Sequence, residues 1–308
     1  MKISSLLYKV GINIFRILPA KAFVCKCIKF VGFPISNVYK DLKFSGEFKV
    51  NIDNRHNFQL FHHGGKIENE TFWKGLFTTF EKDTGWLWKE LTPVSNVIFD
   101  IGANTGIYSL VAKSLNPTAI IHAFEPSKNT FYKLQKNSEI NDFNIICKQI
   151  ALSNENGSCV FYDSFDANQT SASLSPEMKK LWANFEANEY EVQTQTLKSY
   201  ILENEVSSID LMKIDVEMHE PSVIEGFSEL LFKYKPNIFI EVLSDEVAKK
   251  LNSFFKEDFM IFHLPEENEI VQVKEFKVVQ LKWNYFVSHR DNFDQIKVQL
   301  GNRLKSTL

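Results

Sequence analysis

Two short segments of this 308-residue sequence carry acids and glycines in patterns that could bind a ligand. Residues 97–106 read VIFDIGANTG, in which an apolar run leads into Asp100 and two glycines follow, Gly102 and Gly106. A residue without Cβ lets the chain turn sharply and lets a ligand approach the backbone closely. Nineteen residues after Gly106, Glu125 ends the next predicted strand, where a carboxylate can accept hydrogen bonds from both hydroxyls of an adenosine ribose.

The residues around this glycine loop distinguish two cofactors that contain adenosine. A nicotinamide dinucleotide prefers G-x-G-x-x-G, which places a helix N-terminus against the pyrophosphate. Here Asn104 replaces the second glycine, and the carboxylate of Asp100 stands directly before the loop. A negative charge there is unfavourable beside a pyrophosphate and favourable beside the ammonium and sulfonium groups of S-adenosylmethionine. The loop therefore favours S-adenosylmethionine, and a nicotinamide-dependent oxidoreductase stays as the alternative.

The second segment, KIDVEMHE, follows another predicted strand and carries four titratable groups: Asp215, Glu217, His219 and Glu220. If the strand ran on, Asp215 and Glu217 would point the same way, and at least one pKa would rise towards that of a useful base. An alcohol acceptor needs such a base, and methyl transfer also needs the acceptor oxygen held in line. We therefore predict catalytic roles for Asp215, Glu217 and His219. The alternative is that Glu220 favours a helix N-terminus, His219 caps that helix or lies at the surface, and only Asp215 faces the cofactor.

A metal site is the less favoured prediction. Glu241 ends the following strand and could share Mg²⁺ with Asp215, because oxygen ligands suit that ion, but two carboxylates are not a site. The sequence therefore predicts no metal. Four cysteines show neither a zinc pattern nor a disulfide framework, which predicts buried, reduced thiols in a cytosolic protein: Cys25, Cys27, Cys147 and Cys159.

The elements that position these residues alternate regularly. Two strands are predicted within 42–63, and further strands at 97–101, 119–125, 144–152, 211–215, 237–243, 259–264 and 283–288. Helices are predicted at 80–91, 105–115, 127–140, 220–233 and 245–256. This order indicates a doubly wound, mostly parallel α/β sheet, in which the last two strands could pair antiparallel. Asn156-Gly157 predicts a hairpin between 144–152 and 159–162, before a polar loop at 168–175.

Charge is distributed unevenly along the chain. Residues 1–40 carry seven basic side chains and no acid, whereas the net charge of the whole chain is −3. A basic arm is therefore attached to an acidic body. The balance of the whole chain does not indicate a nucleic-acid-binding protein.

The first eighteen residues predict an amphipathic helix that ends or kinks at Pro19. Its apolar face consists of Leu6, Leu7, Val10, Ile14, Ile17 and Leu18. A second basic and apolar stretch follows at 20–33, and no uncharged apolar run approaches the roughly 20 residues of a membrane span. Two interpretations stay open: residues 1–33 either pack on the domain with their lysines in water, or lie on an anionic membrane surface.

Taken together, these segments resemble the FkbM-type methyltransferases over about residues 75–288. FDIGANTG, AFEPS, IALSNENGS, LMKIDVEMHE and PNIFIEVL stand in the order and spacing of that family. The resemblance implies a Rossmann-like class I methyltransferase fold and O-methylation of a hydroxyl on a sugar, glycolipid, polyketide or related metabolite. It also implies that Glu125 holds the ribose of S-adenosylmethionine and that the backbone near Ala151 flanks the adenine. The loop would cradle the methionine part through Asp100, Gly102, Ala103, Asn104, Thr105 and Gly106.

Two positions bear on the resemblance. The family usually has glycine after KIDVE, whereas this chain has Met218, whose side chain could narrow the acceptor pocket or reshape the turn. Glu81 stands where the family often has an acid before the glycine loop. Met218 keeps a third function open, a non-catalytic membrane- or glycan-binding module on a methyltransferase scaffold.

The sequence predicts four regions. These are a basic amphipathic arm at 1–40, a small β/α extension at 41–93, the methyltransferase domain at 94–290 and a helical tail at 291–308. We expect a cytoplasmic enzyme with a small-molecule or glycan acceptor and no nucleic-acid partner. Contact of residues 1–33 with the inner face of the membrane is a further option.

Overall fold

The computed structural model describes residues 11–32, 38–164, 172–174, 187–300 and 304–306. The chain divides into two compact units, the first running to Phe80 and the second beginning at Glu81. This division falls inside the region 41–93 that the sequence suggested as one extension. Among the described residues, no helix is long and apolar enough to cross a bilayer.

The first unit combines helices with a two-stranded sheet. Helix α1 covers 11–17, α2 Lys21–Val31 and α3 Lys66–Lys74, and the antiparallel strands are β1 Gly46–Asn51 and β2 Asn57–His62. The strands bury every second residue, as a sheet with one covered face requires. The rings of Phe44, Phe48 and Phe72 pack edge to face in its core. The two strands predicted within 42–63 are confirmed.

The two N-terminal helices are separated where the sequence predicts a break. Helix α1 ends before Pro19, which cannot continue its hydrogen bonding, and α2 ends at Gly32, whose φ of +68° suits a helix cap. Residues 1–10, which include Leu6, Leu7 and Val10 of the predicted apolar face, lie outside the described residues. Ile14 and Ile17 of that face are exposed.

The second unit is built on a nine-stranded sheet. Its strands are β3 Val97–Ile101, β4 Ile120–Phe124, β5 Ile145–Lys148, β10 Leu211–Ile214, β11 Asn237–Glu241, β12 Phe259–His263, β13 Ile270–Val273, β14 Asn284–His289 and β15 Leu304–Ser306. Their order in the sheet is β15-β13-β12-β14-β11-β10-β3-β4-β5. The five strands from β5 to β11 are parallel, and β14 pairs antiparallel with both β11 and β12. The predicted mostly parallel Rossmann-like fold and its antiparallel last pair are confirmed.

Helices connect the parallel strands and supply the rest of the core. They are α4 Lys82–Leu91, α5 Ile107–Leu115, α6 Lys128–Glu139, α7 Leu197–Glu203, α8 Glu220–Glu225, α9 Ser228–Tyr234, α10 Asp245–Phe254 and α11 Arg290–Leu300. Every residue of β3 and β10 is buried, which explains why these strands read as apolar runs rather than as an alternation. The predicted helix 220–233 is divided into α8 and α9 at Gly226. A Cβ at Gly226 would stand 2.1 Å from the carbonyl oxygen of Ser153.

The hairpin predicted at Asn156-Gly157 is wrong. The predicted strand 144–152 is split into β5 and β6 Ala151–Ser153, and β6 belongs to a separate four-stranded sheet with β7 Gly157–Ser164, β8 Ala172–Ser173 and β9 Ala187–Thr196. Its order is β6-β9-β7-β8, so β9 lies between the two strands of the expected hairpin. Strand β9 pairs with all eight residues of β7, whereas β6 offers only three residues. Strand β7 therefore pairs with β9 rather than with β6, and no hairpin forms at Asn156-Gly157.

Two further predictions are corrected. The tail predicted to be helical ends its helix at Leu300, and Leu304–Ser306 pairs with β13, the strand that would otherwise leave an edge with unpaired backbone groups. The thiols are free but not uniformly buried. Cys25 is buried and Cys147 half-buried, whereas Cys27 and Cys159 are exposed because they lie on outward faces of α2 and β7.

Candidate active site

The candidate site lies where the strand order reverses. Strands β3 and β10 are neighbours in the sheet, and their connections run in opposite directions, to β4 and to β11. In such sheets ligands bind beyond the carboxyl ends of the strands at this switch point. The backbone N–H of Asp215 donates to the carbonyl of Ile101 at 3.0 Å. The glycine loop 102–106 and the KIDVE segment are thus brought together, as the sequence predicted.

Gly102 is required by contacts within the protein. Its φ is +79°, and a Cβ would stand 1.8 Å from the carbonyl oxygen of Asp215. The N–H groups of Gly102 and Ala103 both donate to the carbonyl of Phe124, at 3.0 and 2.9 Å. The loop therefore joins the ends of three neighbouring strands. The sequence predicted that a ligand approaches Gly102 closely. In the structure, the group that approaches Gly102 is the backbone carbonyl of Asp215.

Glu125 lies against the glycine loop. Its Oε2 accepts from the N–H of Asn104 at 3.0 Å, and its Oε1 accepts from the N–H of Ser127 at 2.9 Å. Burial raises the pKa of Glu125 to about 8, although both hydrogen bonds act in the opposite direction. A carboxylate oxygen can accept two hydrogen bonds, so each oxygen of Glu125 can still accept one from a ribose hydroxyl. Asn104 has a φ of +51° and Gly106 of +88°, which curls the loop around these donors.

Asp100 and Thr105 have different roles in the loop. The buried carboxylate of Asp100 accepts from the N–H and the hydroxyl of Ser109, at 3.0 and 2.6 Å, and so fixes helix α5 beside the loop. Burial raises its pKa, and the ammonium group of Lys213 opposes that shift. The hydroxyl of Thr105 is buried and has no hydrogen-bond partner among the described residues. A buried polar atom of this kind suits a ligand that supplies a partner.

Ala151 lies further along the chain than the other cofactor candidates. It begins β6 and is buried with Phe161 and Leu174 in the core of the four-stranded sheet. Its position beside an adenine stays a prediction. A connection missed by the sequence links this sheet to the ribose segment, because Asp163 accepts from Ser127 Oγ and from Tyr190 Oη, both at 2.9 Å.

A buried lysine organises the acidic side of the site. Lys213 is only 6% exposed, although it stands in the apolar strand LMKID, and its Nζ donates to Asp215 Oδ2. Burial would lower its pKa, but the carboxylates of Asp215, Glu81 and Asp100 raise it above the usual range. A charge buried this deeply requires such partners. The signal that could have revealed Lys213 was a lysine within β10, whose other three residues are apolar.

Glu81 joins the same cluster from the residue before α4. Tyr108 Oη donates to Glu81 Oε2 at 2.7 Å, and Thr84 Oγ1 donates to the same oxygen at 2.8 Å. Lys213 Nζ lies 4.4 Å from the centre of the Tyr108 ring. Burial and then the neighbouring Glu81 carboxylate hold the pKa of Tyr108 well above its usual value. Glu81, which the sequence offered only through the family resemblance, therefore contacts a residue of the helix that follows the glycine loop.

The segment after β10 turns sharply instead of continuing as a strand. Strand β10 ends at Ile214, and Glu217 and Met218 both adopt left-handed backbone conformations, with φ of +54° and +75°. The alternation that would have pointed Asp215 and Glu217 the same way therefore does not extend to Glu217. Met218, which replaces the usual glycine, occupies a conformation that glycine adopts at the lowest cost. Its side chain compensates by packing against the main core.

Glu220 and His219 hold this turn. The buried Oε1 of Glu220 accepts from the N–H groups of Val216 and Met218, both at 3.2 Å. Burial raises the pKa of Glu220 to about 8. The Nε2 of His219 lies 2.9 Å from Ser153 Oγ, and burial lowers the pKa of His219 to about 4. Glu220 thus stabilises the turn by accepting its N–H groups, and His219 is neutral near pH 7.

Glu241 completes the acidic side of the site. It ends β11, the neighbour of β10, and its pKa is raised well above the usual value by burial and then by Asp215, Glu217 and Glu81. A carboxylate whose pKa is raised by burial and by neighbouring carboxylates is a stronger base than an exposed one, which suits general base catalysis. In the part of the chain that the structure describes, no three His, Cys, Asp or Glu side chains are grouped to hold a metal ion.

Curated proteins with recognisable similarity are methyltransferases. "Methyltransferase 1" of Beauveria bassiana is 28% identical over 163 residues, which is 49% of this chain and 66% of that protein. The hexuronic acid methyltransferase AglP of Haloferax volcanii is 26% identical over 162 residues, 53% of this chain and 62% of its own length. The 2-O-methyltransferase NoeI of Sinorhizobium fredii is 31% identical over 146 residues, 44% and 59% of the two chains. The chain thus spans less than two thirds of these relatives.

The family match covers a larger part of the chain. The family described as the Methyltransferase FkbM domain matches residues 100–297, more than half of the 308 residues. This range begins at Asp100, within β3, and contains the glycine loop, Glu125, the KIDVE segment and strands β4, β10 and β11. The chain therefore belongs to the FkbM family of methyltransferases.

Proposed function

We propose that this chain is an S-adenosylmethionine-dependent O-methyltransferase that acts on a hydroxyl group of a sugar or related metabolite. The observation that carries the proposal is the position of Glu125 against the loop 102–106, at the switch point of the sheet. A carboxylate with free acceptor capacity at the end of the second strand is the group that an adenosine ribose requires. Membership of the FkbM family supports a methyl donor in preference to a nicotinamide dinucleotide.

The residues of the loop fit S-adenosylmethionine. Glu125 would accept the ribose hydroxyls, and the unpartnered hydroxyl of Thr105 would meet a polar group of the ligand. Asp100 is engaged by Ser109, so its charge would act on a cationic ligand through space rather than by direct contact. When bound, S-adenosylmethionine supplies a methyl group that carries the electrophilic character of its sulfonium.

The carboxylates beyond β10 and β11 would prepare the acceptor. Asp215 is held by Lys213, whose ammonium group donates a hydrogen bond to the carboxylate and fixes its direction. The predicted role of Asp215 with Glu217 or His219 stays our proposal, and the raised pKa of Glu241 adds a further candidate base. His219 is the weaker candidate, since a group with a pKa of about 4 binds a proton poorly at neutral pH.

The acceptor class rests on the relatives. NoeI is named a 2-O-methyltransferase and AglP a hexuronic acid methyltransferase. An oxygen nucleophile on a sugar suits a site rich in carboxylates, because carboxylates accept hydrogen bonds from several hydroxyls and can remove one proton.

Ligand binding and turnover test the proposal separately. Calorimetry should detect binding of S-adenosylmethionine and no binding of NAD. Incubation with radiolabelled S-adenosylmethionine and a panel of free sugars and uronic acids should transfer label to oxygen. Binding of NAD with hydride transfer would establish the oxidoreductase instead. Binding of S-adenosylmethionine without label transfer to any hydroxyl acceptor would contradict the O-methylation proposal and favour a non-catalytic module.

A further inference from the structure

The first unit contains a cavity of about 790 Å³ with a basic lining. Its cationic side chains are Arg16, Lys21, Lys40, Lys43 and Lys66. Only two acids, Asp41 and Glu70, line the same cavity. One wall is fixed by the buried Asn69, whose Nδ2 donates to the carbonyl of Tyr39 at 2.9 Å. A concave surface with this excess of positive charge concentrates anions.

Helices α1 and α2, which contribute Arg16 and Lys21 to this cavity, also carry exposed apolar side chains. Ile14 and Ile17 are 52% and 82% exposed on α1, and Phe23 and Phe30 are 67% and 93% exposed on α2. Phe23 and Phe30 are seven residues apart and therefore share one helix face, with the exposed Cys27 between them. Scattered exposed apolar residues are ordinary, but four on two consecutive short helices are a concentration that suits an apolar partner.

The opposite face of α2 is already occupied. Cys25 is buried and donates to the carbonyl of Leu42, with 3.9 Å between sulfur and oxygen. Lys29 donates to the carbonyl of Phe72, and its Nζ lies 4.7 Å from the centre of that ring. Helix α2 is therefore anchored within its unit through this face. The apolar face that carries Phe23 and Phe30 points away from the anchor.

We propose that the first unit docks on the surface of an anionic lipid bilayer. The side chains of Ile14, Ile17, Phe23 and Phe30 enter the boundary of the acyl chains, and the basic cavity takes lipid phosphate groups. A bilayer with anionic lipids offers both chemistries at once, whereas a soluble phosphate would leave the apolar side chains in water. Residues 1–40 carry seven basic side chains and no acid, which complements such a surface. The proposal does not depend on the methyl transfer proposed above.

Vesicle flotation of the full-length protein tests this docking. The protein should float with phosphatidylcholine vesicles that contain phosphatidylglycerol at low salt, and less at high salt, because salt screens the charge attraction. It should stay in the dense fraction with phosphatidylcholine alone. The double change Phe23→Ser with Phe30→Ser should weaken binding on the order of a hundredfold, because it removes two large apolar groups. Arg16→Gln with Lys66→Gln should weaken it on the order of tenfold.

Matched controls come from the second unit. Leu202→Ser changes a side chain that is 63% exposed, and Lys249→Gln removes an exposed cation, so both variants should float like the unchanged protein. Thermal unfolding should show that all four variants stay folded, since every changed residue is exposed. The proposal is overturned if the unchanged protein does not float, or if the variants of the first unit float as well as it does. Equilibrium dialysis that shows binding of inorganic phosphate without flotation would also overturn it and assign the cavity to a soluble anion.

Discussion

At the scale of single residues, two buried carboxyl groups of the site are held by backbone atoms. Both oxygens of Glu125 accept backbone N–H groups, and Oε1 of Glu220 accepts two. Burial raises the pKa of each carboxyl to about 8, so the protonation of both groups depends on how the site is packed.

If Glu125 binds the ribose, the affinity for the ligand depends on whether the Glu125 carboxyl is protonated. A ribose hydroxyl donates to the ionised carboxylate, so affinity should rise with pH and level off above about 8, where Glu125 is ionised before binding. Calorimetry with methylthioadenosine measures this directly, because that ligand has the ribose but no ammonium group of its own. Glu125→Gln should bind it more weakly by about 1.5–3 kcal/mol and without this pH dependence.

The control for this experiment is Glu155→Gln, which changes an exposed glutamate of the same unit. It should bind methylthioadenosine like the unchanged protein at every pH. A flat pH profile in the unchanged protein, or unaltered affinity in Glu125→Gln, would remove the ribose role from Glu125.

Gly102 should be intolerant of any side chain. In Gly102→Ala the new Cβ would meet the Asp215 carbonyl at 1.8 Å, so the strand ends must move apart. We expect a loss of about 1–3 kcal/mol in the free energy of unfolding, and weaker binding of S-adenosylmethionine as the loop shifts. Chemical denaturation and calorimetry measure the two effects.

Gly11→Ala is the matched control, because its Cβ would meet nothing within 4 Å. In helix α1 that change should stabilise by about 0.5–1 kcal/mol, since alanine loses less backbone entropy than glycine. Equal stability of Gly102→Ala and the unchanged protein would show that the loop has room that the structure does not indicate.

At the scale of elements, the turn after β10 decides where the catalytic candidates point. Two consecutive left-handed residues, Glu217 and Met218, reverse the chain before α8, and the buried Glu220 holds two N–H groups of the turn. The turn is further tied to Ser153 of the small sheet through His219. Asp215 is thereby separated from Glu217 and directed by Lys213.

Glu220 should therefore affect turnover through the turn that it holds. Glu220→Ala leaves the N–H groups of Val216 and Met218 without their acceptor, at about 1–3 kcal/mol per buried group. We expect a lower melting temperature and a larger loss in kcat than in affinity for S-adenosylmethionine. Thermal unfolding and methyl-transfer kinetics provide these values.

Glu220→Gln is the conservative comparison, because its amide oxygen can still accept from the turn. It should recover most of the stability and turnover that Glu220→Ala loses. If both variants are equally impaired, the charge of Glu220 rather than its acceptor capacity is what the site uses.

At the scale of the whole molecule, burial of ionisable groups links stability to pH. Glu125 and Glu220 have pKa values of about 8 in the folded state, above those of exposed glutamates. Between about pH 4.5 and 8 the unfolded chain has lost these protons and the folded chain keeps them, so stability falls as pH rises. His62, His122 and His219 have folded pKa values of about 4, so their contribution rises with pH up to about 6.5 and is then constant.

The melting temperature should therefore decrease between about pH 6.5 and 8, where the two carboxyl groups contribute and the three histidines no longer do. Each group contributes at most about 1.4 kcal/mol per pH unit. Scanning calorimetry across this range should show the decrease, and the slope should be smaller in Glu220→Gln, which has no proton to lose. Glu155→Gln should keep the full slope. A melting temperature that rises from pH 6.5 to 8 would contradict the raised pKa values of Glu125 and Glu220 in the folded state.

Much of the second unit followed from the sequence for local reasons. The strands VIFDI and LMKID and the helix after VIFDI were placed within one or two residues, because apolar runs and caps are encoded by neighbouring residues. The single helix predicted after LMKID is instead divided at Gly226. The hairpin at Asn156-Gly157 failed because β9, about thirty residues further on, forms the longer ladder with β7. The tail was misjudged for the same reason, since β13 offers a partner that no local pattern reveals.

By itself, the sequence determined the alternating strands and helices around the switch point, the glycine loop with Glu125, and the resemblance to FkbM-type methyltransferases. These depend on residue type and spacing along the chain. The tertiary structure alone decided that Gly102 faces the Asp215 carbonyl, that Asp100 is engaged by Ser109, and that Lys213 gathers carboxylates from three segments. Such contacts join residues far apart in the chain, and whether a charge is buried or paired depends on what packs around it.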